Sequence, residues 1–312
     1  MSPIPVLTAQ DVERAVSPVA ALDAVREAFI AHYRGEWTMP PKVYVTNYPA
    51  GDFRAMPALG AGHALLKWVT SFPGNPALGL PTVSGVVLVS NAETGALKAV
   101  LEAGTVTALR TGAAAVLAAE TLGRPDAMSA VVIGAGVNGR AAARTFIARG
   151  RSIAIWDVDA GRAAAAALEL GCVIAPALEA ALAADLVVTV TPGHDVLFAE
   201  DSLLPGQHVS LMGADGPGKA EIAARELART RVFCDDWEQA SHGGELAHAV
   251  EAGLLGESDV GRIGAVLAGE AEGRRNDDEI TTFDSTGLAI QDLAIAVAAL
   301  ANMPPDVAQI EL

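Results

Sequence analysis

The sequence of 312 residues is poor in several features that mark particular classes of protein. It has two cysteines, Cys172 and Cys234, which are too few for a disulfide framework or a cysteine-rich metal site and which fit a reducing compartment. Aromatic residues make up 4% of the chain, so a series of rings that could stack on nucleic-acid bases is absent. The histidines are scattered, and His242 has no second ligand at a metal-binding spacing. We therefore expect no bound metal and no nucleic-acid partner.

Positive charge and long apolar runs are also scarce. The formal net charge is −16, which disfavours binding to nucleic acid or to an anionic membrane surface. Apolar runs such as LAIAVAALA are far shorter than a membrane span, and the opening MSPIPVLTAQDVER lacks the pattern of a signal peptide. Hydrophobic residues are nevertheless 51% of the chain and charged residues 19%, which is typical of a globular protein. We expect a soluble, cytoplasmic protein with no membrane partner.

A local excess of positive charge interrupts this acidic background. Residues 37–115 contain five basic residues and three acids, a net charge of +2, and several of the basic residues have apolar neighbours. The basic residues are Lys42, Arg54, Lys67, Lys98 and Arg110. Lys98 is ascribed to ordinary variation in charge, but because an unpaired charge among apolar groups is costly, the others predict a pocket for an anion. Structural roles are also open, since Lys67 could extend along a strand, Arg110 could brace a helix, and Arg54 could pair with Asp52.

The first part of the chain has the pattern of an α+β unit. Helical periodicity over QDVERAVSPVAALDAVREAFIAHYRGE is followed by extended segments, and the last two of these flank the turn NAETG as an antiparallel hairpin. The extended segments are KVYVTNY, FRAMPA, ALLKWVTSF, SGVVLVS and LKAVLEAG. A helix through ALRTGAAAVLAAETL comes next, and we predict Thr105 or Thr107 as its N-cap.

From Ser129 onward, short apolar strands alternate with alanine-rich helices. The predicted strands are AVVIG, SIAIWD, DLVVTVT, HVSLMG, RVFCD and EITTFDS. The final segment, GLAIQDLAIAVAALANM, has the periodicity of a helix of about sixteen residues. Alternation of this kind is typical of a parallel sheet with helices on both faces. The predicted fold class is therefore α/β, with a Rossmann-type doubly wound parallel sheet and an additional α+β domain.

The segment SAVVIGAGVNGRAAARTFIARG carries a dinucleotide-binding motif. Gly134, Gly136 and Gly139 form G-x-G-x-x-G between a strand and a helix, where glycines allow a tight turn, close approach to a pyrophosphate and close helix packing. Asp157 ends the next predicted strand, at the distance where a carboxylate binds the ribose 2′-hydroxyl. A carboxylate there would repel the extra phosphate of NADP, so NAD is the predicted cofactor. Arg162 is the counter-evidence, because it is a cation near the site where NADP carries its extra phosphate.

A second glycine-rich turn, LMGADGPGK, follows a later strand of the same predicted sheet. Gly213, Gly218 and Lys219 approximate the P-loop pattern, but Ala220 replaces the hydroxyl that holds Mg²⁺, and Asp215 would repel phosphate. The turn follows the C-terminal end of its strand, where doubly wound sheets bind ligands. Asp215 is therefore a candidate for proton transfer beside the nicotinamide. The alternative is an Asx turn or a helix N-cap.

Eight stretches, in order along nearly the whole chain, carry a family resemblance. They are MPPKVYV, DFRAMPA, LKWVTSFPGNPALGLPTV, ALRTGAAA, VIGAGVNGR, GADGPGK, DDWEQASHGGE and ITTFDSTGLAIQDLA. The sequence resembles the ornithine cyclodeaminase/μ-crystallin family, and within it the archaeal-type alanine dehydrogenases. The resemblance implies a substrate-binding and dimerisation domain formed by residues 1–115 and 288–312, and an NAD-binding Rossmann domain formed by residues 116–287. It also implies a homodimer whose sheets join through the non-Rossmann domain.

The resemblance implies roles for individual residues. Lys42, Lys67 and Arg110 match positions that bind the substrate carboxylate, and many relatives have arginine at the position of Lys42. Arg54 matches a pocket arginine of the alanine dehydrogenase branch, and Asp215 matches the catalytic acid/base. Lys67 is a second candidate for catalytic proton transfer, because neighbouring cations would lower its pKa. The predicted cofactor-binding residues are Gly134, Gly136, Val137, Asn138, Gly139, Asp157, Thr82, Thr111, Thr191, Met212 and Ser285.

These observations predict an NAD-dependent oxidative deamination of a small L-amino acid, L-alanine to pyruvate and ammonium, which is reversible and passes through an imine. The cations would hold the α-carboxylate so that Cα faces the nicotinamide, and Asp215 would activate the water that attacks the imine. An ornithine cyclodeaminase or a cyclic ketimine reductase would use the same hydride and imine chemistry. A non-catalytic NAD(P)H-binding protein of the μ-crystallin kind would keep the glycine turn without needing the cations and the acid.

Overall fold

The computed structural model of the chain describes residues 3–193, 195–216 and 218–311. The chain divides into two compact units, one formed by residues 1–110 and 288–312 and the other by residues 111–287. Each unit is built around a β-sheet of its own. The assignment of substrate binding and dimerisation to residues 1–115 and 288–312, and of NAD binding to residues 116–287, stays a prediction.

The first unit contains a seven-stranded sheet. Its strands are β1 (Ile4–Leu7), β2 (Val43–Asn47), β3 (Gly51–Gly60), β4 (His63–Ser71), β5 (Val83–Asn91), β6 (Leu97–Glu102) and, last in the chain, β15 (Ala308–Ile310). The spatial order is β15-β1-β6-β5-β4-β3-β2, in which β1 and β6 pair in parallel and the other named neighbours pair antiparallel. The predicted hairpin of β5 and β6 is confirmed. The short strands β1 and β15 are not predicted from the sequence, because their pairing with each other depends on tertiary structure.

Three α-helices lie wholly within the described residues of the first unit, and local capping explains where two of them begin. They are α1 (Ala9–Ala15), α2 (Pro18–Tyr33) and α11 (Ala289–Ala301). Thr8 caps α1 in a reciprocal capping box with Asp11, and the Ser17 side chain caps α2. Helix α11 has 13 residues and packs against α2 and against β3 and β4. It is apolar around most of its circumference, as expected for a helix with neighbours on several sides.

The long helix α3 (Ala103–Leu122) contains the first boundary between the units, and its predicted cap is wrong. The helix begins at Ala103, so Thr105 and Thr107 lie inside its first turns. The carboxylate of Glu102 accepts hydrogen bonds from the backbone N–H groups of Gly104 (2.5 Å) and Thr105 (2.7 Å). A carboxylate at this end of a helix also interacts favourably with the helix dipole, so the last residue of β6 replaces the expected threonine.

The second unit contains an eight-stranded sheet in which every neighbouring pair is parallel. Its strands are β7 (Ala130–Ile133), β8 (Ala154–Trp156), β9 (Val173–Ile174), β10 (Leu186–Thr189), β11 (His208–Leu211), β12 (Arg231–Cys234), β13 (Gly261–Arg262) and β14 (Thr281–Asp284). The spatial order is β13-β12-β14-β11-β10-β7-β8-β9. All residues of β7, β10, β11 and β14 are buried, as expected for strands covered on both faces. The predicted parallel α/β fold is confirmed.

Helices connect most strands of the second sheet. They are α4 (Val137–Ala148), α5 (Ala160–Leu170), α6 (Leu178–Leu182), α7 (Ala224–Ala228), α8 (Trp237–Gly243), α9 (Leu246–Glu251) and α10 (Ile263–Leu267). Strand β7 leads to β8 and β9 on one side, while β10, on its other side, leads to β11 and β14. The strand order therefore reverses between β7 and β10, and ligands of doubly wound sheets bind at such a reversal. Among the described residues, no helix has both the length and the hydropathy that crossing a membrane requires.

Candidate active site

The glycine turn lies between β7 and α4, at the reversal of strand order. A Cβ atom at Gly134 would overlap the carbonyl oxygen of Val190, and one at Gly139 would overlap the carbonyl oxygen of Gly134. Gly134 also has a φ of +105°, which side chains disfavour. Gly136, which precedes α4, has open space where a Cβ would be, and Val137 is 70% exposed. The first N–H groups of α4 therefore border open space, which fits a pyrophosphate.

Asp157 follows β8 and lies beside this turn. The residue is 8% exposed, and its carboxylate accepts hydrogen bonds from the backbone N–H groups of Ala135 (2.7 Å) and Asp159 (2.8 Å). Arg162 Nη1 lies 3.4 Å from both carboxylate oxygens, and the arginine side chain remains 51% exposed. The carboxylate predicted to bind a ribose hydroxyl is therefore held rigidly, with one accessible cation beside it.

Three further cofactor candidates follow neighbouring strands of the second sheet. Thr191 comes after β10, Met212 after β11 and Ser285 after β14, so all three lie at the C-terminal edge of the sheet. The Thr191 hydroxyl donates to Glu221 Oε1 (2.6 Å), and the Ser285 hydroxyl donates to Asp235 Oδ2 (3.0 Å). Each hydroxyl is therefore oriented by a carboxylate, Glu221 for Thr191 and Asp235 for Ser285, and neither carboxylate is among the predicted site residues.

The last three cofactor candidates have different surroundings. Asn138 lies in the first turn of α4 and is half-buried. Thr111 lies in α3 and is 3% exposed, and its hydroxyl has no hydrogen-bond partner within residues 3–193, 195–216 and 218–311. Thr82 immediately precedes β5 in the first unit, and its carbonyl accepts a hydrogen bond from the Phe72 N–H (2.8 Å). Their contact with a cofactor stays a prediction.

Asp215 lies in the turn that follows β11. Its Oδ1 is 2.5 Å from Lys219 Nζ, and about a third of its side chain is exposed. The Ala220 N–H donates to the carbonyl of Gly193 (2.9 Å), which joins this turn to the one after β10. Helix α7 begins at residue 224 with Ala223 as its N-cap, so the alternative role of Asp215 as a helix N-cap is excluded.

Three buried carboxyl groups lie behind these turns, and none of them is among the predicted site residues. Glu221 and Asp284 are fully buried, and Glu245 is 1% exposed. Burial raises the pKa of Glu245 to about 9 and the pKa of Asp284 to about 8, and it also raises the pKa of Glu221. Each of the three accepts at least one backbone N–H hydrogen bond. They therefore act first as acceptors for buried backbone groups, and Glu245 and Asp284 hold protons at neutral pH.

In the first unit, two of the predicted cations share one buried carboxylate. Lys67 on β4 is 1% exposed, and its Nζ lies 2.9 Å from Asp292 Oδ1. Arg110 on α3 brings its Nε to 3.6 Å from the same oxygen, and its Nη1 lies 3.5 Å from Gln291 Oε1. Asp292 and Gln291 lie in the first turn of α11 and are fully buried. A strand and two helices thus bring Lys67, Arg110 and Asp292 together.

This cluster is polar, buried and incompletely hydrogen-bonded. Arg110 Nε, Asp292 Oδ2 and Gln291 Nε2 have no hydrogen-bond partner in the part of the chain that the structure describes. Buried polar atoms of this kind mark a place where a water molecule or a ligand binds. Burial lowers the pKa of Lys67 to about 8, and the Arg110 and Arg54 charges act in the same direction, while Asp292 raises it. Lys67 therefore changes its charge near neutral pH.

Arg54 and Lys42 extend this region. Arg54 Nε lies 2.6 Å from Asp52 Oδ1, so the ion pair considered from the sequence is present. Strand β3 places Met56 opposite Lys67, and Arg54 is two residues from Met56, so Arg54 and Lys67 are on the same face of the sheet. Lys42 immediately precedes β2 and is half-buried. The predicted approach of Asp215 to these cations involves both units and stays a prediction.

Sequence comparison assigns the chain to a family. The model of the ornithine cyclodeaminase/mu-crystallin family matches residues 4–303 of the 312. The chain belongs to this family. Alanine dehydrogenase of Archaeoglobus fulgidus is 41% identical over 305 residues, which are 95% of this chain and 94% of that protein. Iminosuccinate reductase of Paracoccus denitrificans is 31% identical over 317 aligned positions, covering 94% of each chain.

Solved structures of similar proteins have the same fold. An archaeal alanine dehydrogenase dimer with bound NAD has a TM-score of 0.92 and 39% identity, and the match covers 99% of both chains. A Δ1-pyrroline-2-carboxylate reductase of Thermococcus litoralis, in complex with NADH and L-proline, has a TM-score of 0.89 and 26% identity and covers 96% of this chain and 97% of that one. The Rossmann-type fold predicted from the sequence is thereby confirmed.

Asp292 is the residue of the cation cluster that the sequence interpretation misses. The signal for it is present in GLAIQDLAIAVAALA, where Gln291 and Asp292 are the two polar side chains of a segment that is otherwise apolar. A carboxylate in such a helix is expected to be buried and therefore to have a cationic partner. The sequence does not show which cation that is, because Lys67 and Asp292 are separated by 225 positions.

Proposed function

We propose that this protein catalyses the NAD-dependent oxidative deamination of a small L-amino acid, with L-alanine as its substrate. L-alanine, NAD⁺ and water would give pyruvate, ammonium, NADH and a proton, and the reaction would run in both directions. The observation that carries the proposal is the buried cluster of Lys67, Arg110 and Asp292. The similarity to alanine dehydrogenase of Archaeoglobus fulgidus, at 41% identity, supports the choice of amino acid.

The charge of the cluster suits an α-carboxylate. With Lys67 protonated, two cations and one carboxylate leave a net charge of +1, and Arg54 adds a further cation that Asp52 balances. A singly charged carboxylate brought to this place would complete the balance. The guanidinium of Arg110 retains an Nε without a hydrogen-bond partner among the described residues. A guanidinium fixed in this way can orient a planar carboxylate, which an isolated ammonium cannot.

Proton transfer would be divided between Lys67 and Asp215. When bound, the nicotinamide would supply the acceptor for the hydride from Cα. Because the pKa of Lys67 is about 8, a fraction of this side chain is neutral near neutral pH and can accept a proton from the substrate ammonium. Asp215, with part of its carboxylate exposed in the turn after β11, would then take a proton from the water that attacks the imine.

The second unit fits NAD. Gly134 and Gly139 leave no room for side chains, Gly136 leaves the start of α4 open, and Asp157 is fixed beside the turn. The N–H groups at the start of a helix and a carboxylate at this distance are the elements that hold a pyrophosphate and a ribose. Two related structures contain NAD and NADH, which supports the same cofactor class for this chain.

The first sheet supports the proposal of a homodimer. Residues Val43, Trp68 and Val86 align across β2, β4 and β5 on one face, opposite to the face of Lys67, and each is more than a third exposed. An open apolar sheet face of this kind marks a protein interface. The archaeal alanine dehydrogenase with the same fold is a dimer, which supports a second copy of this chain as the partner.

A substrate screen tests the proposal. L-alanine with NAD⁺ should produce NADH, measured by its absorbance, and pyruvate with ammonium and NADH should consume it. The screen should include L-ornithine, iminosuccinate precursors and Δ1-pyrroline-2-carboxylate, because the relatives include reductases of imines. Conversion of ornithine to proline without net NADH would instead indicate a cyclodeaminase. Tight binding of NADH with no turnover of any amino acid, oxo acid or imine would indicate a non-catalytic binding protein.

A further inference from the structure

Glu221 joins the two turns that follow β10 and β11. The residue is fully buried, although it comes shortly after the partly exposed Asp215. Its carboxylate accepts four hydrogen bonds, from Thr189 Oγ1 (2.5 Å), Thr191 N (2.9 Å), Thr191 Oγ1 (2.6 Å) and Gly213 N (2.9 Å). One side chain therefore satisfies donors from the end of one strand, the turn after it and the turn after its neighbour.

The pattern of donors requires a carboxylate. Oε1 accepts the N–H of Thr191, and Oε2 accepts the N–H of Gly213. A glutamine amide has one oxygen, so in either orientation its NH₂ group would meet a backbone N–H that needs an acceptor. A buried donor that loses its acceptor costs more than the hydrogen bond itself contributed. The position is thus specific for an acidic side chain of this length.

Close packing also holds Gly213, Glu221 and Thr191 together. A Cβ atom at Gly213 would lie 2.5 Å from Glu221 Cδ and 2.6 Å from the carbonyl oxygen of Thr191, so a side chain there would separate the three groups. The backbone of Glu221 is itself held, because its N–H donates to Glu245 Oε1 (2.8 Å) and its carbonyl accepts from the Leu197 N–H (2.7 Å). Glu221 is therefore a fixed point to which both turns are bound.

We propose that Glu221 is a positioning residue, which holds the Thr191 turn and the Gly213–Asp215 turn at a fixed separation and so places the Asp215 carboxylate. The role of Asp215 rests on the proposed function, whereas the joining of the turns does not. Asp215 follows Gly213 by two residues in the chain. Loss of the hydrogen bond between Gly213 and Glu221 would therefore displace Asp215. A displacement of about 1 Å lowers turnover by about 100-fold in a site that depends on orientation.

The test compares Glu221→Gln with a matched control, Glu226→Gln. Glu226 is also fully buried, and its two oxygens accept the backbone N–H groups of Asp201 (2.8 Å) and Leu203 (2.6 Å), in a segment that precedes β11, together with the guanidinium of Arg229. For E221Q we expect kcat to fall by about 100-fold with a much smaller change in the KM of the amino acid. For E226Q we expect unchanged kcat. A kcat of E221Q equal to that of the parent, or an equal loss in E226Q, overturns the proposal.

Amide hydrogen exchange reads out the joining of the turns without any substrate. E221Q should accelerate exchange in peptides that cover residues 189–193 and 211–216, and E226Q should accelerate it around residues 201–203 instead. Unchanged exchange in the first two peptides overturns the proposal even if kcat falls. A parent enzyme that turns over no substrate contradicts the proposed function, and the exchange experiment then still decides whether Glu221 holds the turns.

A milder variant covers the case in which E221Q does not fold. Thr189→Val keeps the volume of a fully buried side chain and removes one of the four donors to Glu221. We expect faster exchange in the same two peptides and a loss of about tenfold in kcat, the effect of one hydrogen bond on the orientation of the carboxylate. Exchange and kcat equal to those of the parent in T189V would contradict the role of Glu221.

Discussion

Replacing Asp292 by asparagine tests the electrostatics of the cation cluster. The pKa of Lys67, about 8, reflects burial and the charges of Arg110 and Arg54, which lower it, against Asp292, which raises it. Without the carboxylate only the lowering causes remain. An opposite charge at this distance shifts a pKa by about 1–3 units, so we expect the pKa of Lys67 in D292N to lie roughly between 5 and 7. At about 1.36 kcal/mol per unit, the protonated form loses about 1.4–4 kcal/mol.

The stability of D292N should therefore depend on pH. A lysine whose pKa is lowered in the folded state adds stability as the pH rises from its folded pKa to its unfolded pKa of about 10.4. In the parent this window begins near pH 8, and in D292N it begins at lower pH. Breaking the buried pair costs about 3–5 kcal/mol while Lys67 stays charged, and much less once it releases its proton. Denaturant titrations should thus give D292N a free energy of unfolding far below that of the parent at about pH 5, where Lys67 still carries charge, and closer to that of the parent at about pH 9.

Kinetics report the same change. If neutral Lys67 accepts the substrate proton, the acidic limb of the rate profile for alanine oxidation should move about 1–3 pH units lower in D292N. Asp11→Asn is the control, because Asp11 is 8% exposed in the same unit and pairs with Arg14 at 2.6 Å, so it removes the same charge elsewhere. An acidic limb that stays in place, together with a stability deficit independent of pH, would refute the assigned coupling of Lys67 and Asp292.

Three further predictions concern the second unit. Asp157→Asn should raise kcat/KM with NADP⁺ relative to NAD⁺ by about tenfold, about 1.4 kcal/mol, because the repelling charge is lost and Arg162 remains beside it; an unchanged ratio argues against this role. Gly139→Ala should weaken NADH binding and cost about 1–3 kcal/mol of stability, because the new methyl group overlaps the carbonyl of Gly134; unaltered NADH fluorescence titrations would contradict this. Glu245 has a pKa raised to about 9 in the folded state, so its contribution to stability is complete below its unfolded pKa and is lost as the pH rises towards 9. Glu245→Gln mimics the neutral acid and should flatten this loss between pH 5 and 9, and a parallel pH dependence of unfolding in parent and variant would exclude it.

Elements with strong periodicity are predictable from this sequence, and elements fixed by distant partners are not. Six strands of the second sheet and five of the first follow from apolar runs and turns, because their own residues carry the pattern. The two-residue strands Val173–Ile174 and Gly261–Arg262 are too short to have a pattern, and they exist because a neighbouring parallel strand offers backbone groups. The start of α3 at Ala103 is missed because Glu102, at the end of a strand, acts as its cap.

The candidate site shows the same difference between residues that are close in sequence and residues that are far apart. The sequence predicts Gly134, Gly139 and Asp157 as a group, because turn, helix and carboxylate are close in the chain, and the structure places them side by side. It predicts Lys67 and Arg110 as separate cations, and their common partner Asp292 comes from the other end of the chain. A motif encodes contacts within one strand, turn and helix, whereas contacts between elements far apart in sequence are decided by packing.

The need of buried charges for partners of opposite sign offers a way to predict such distant contacts from the sequence. Helix α11 is mostly buried, and an isolated carboxylate inside it would be unstable or neutral, so Asp292 implies a buried cation in the first unit. Lys67, on a strand with an alternating pattern, is likewise a buried charge that needs an anion. Each charged residue inside an apolar strand or helix can be paired with an oppositely charged residue inside another such element. This pairing would select Lys67 and Asp292 without knowledge of any interatomic distance. The same reasoning does not find Glu221, because its partners are neutral backbone and hydroxyl donors, which every sequence contains in excess.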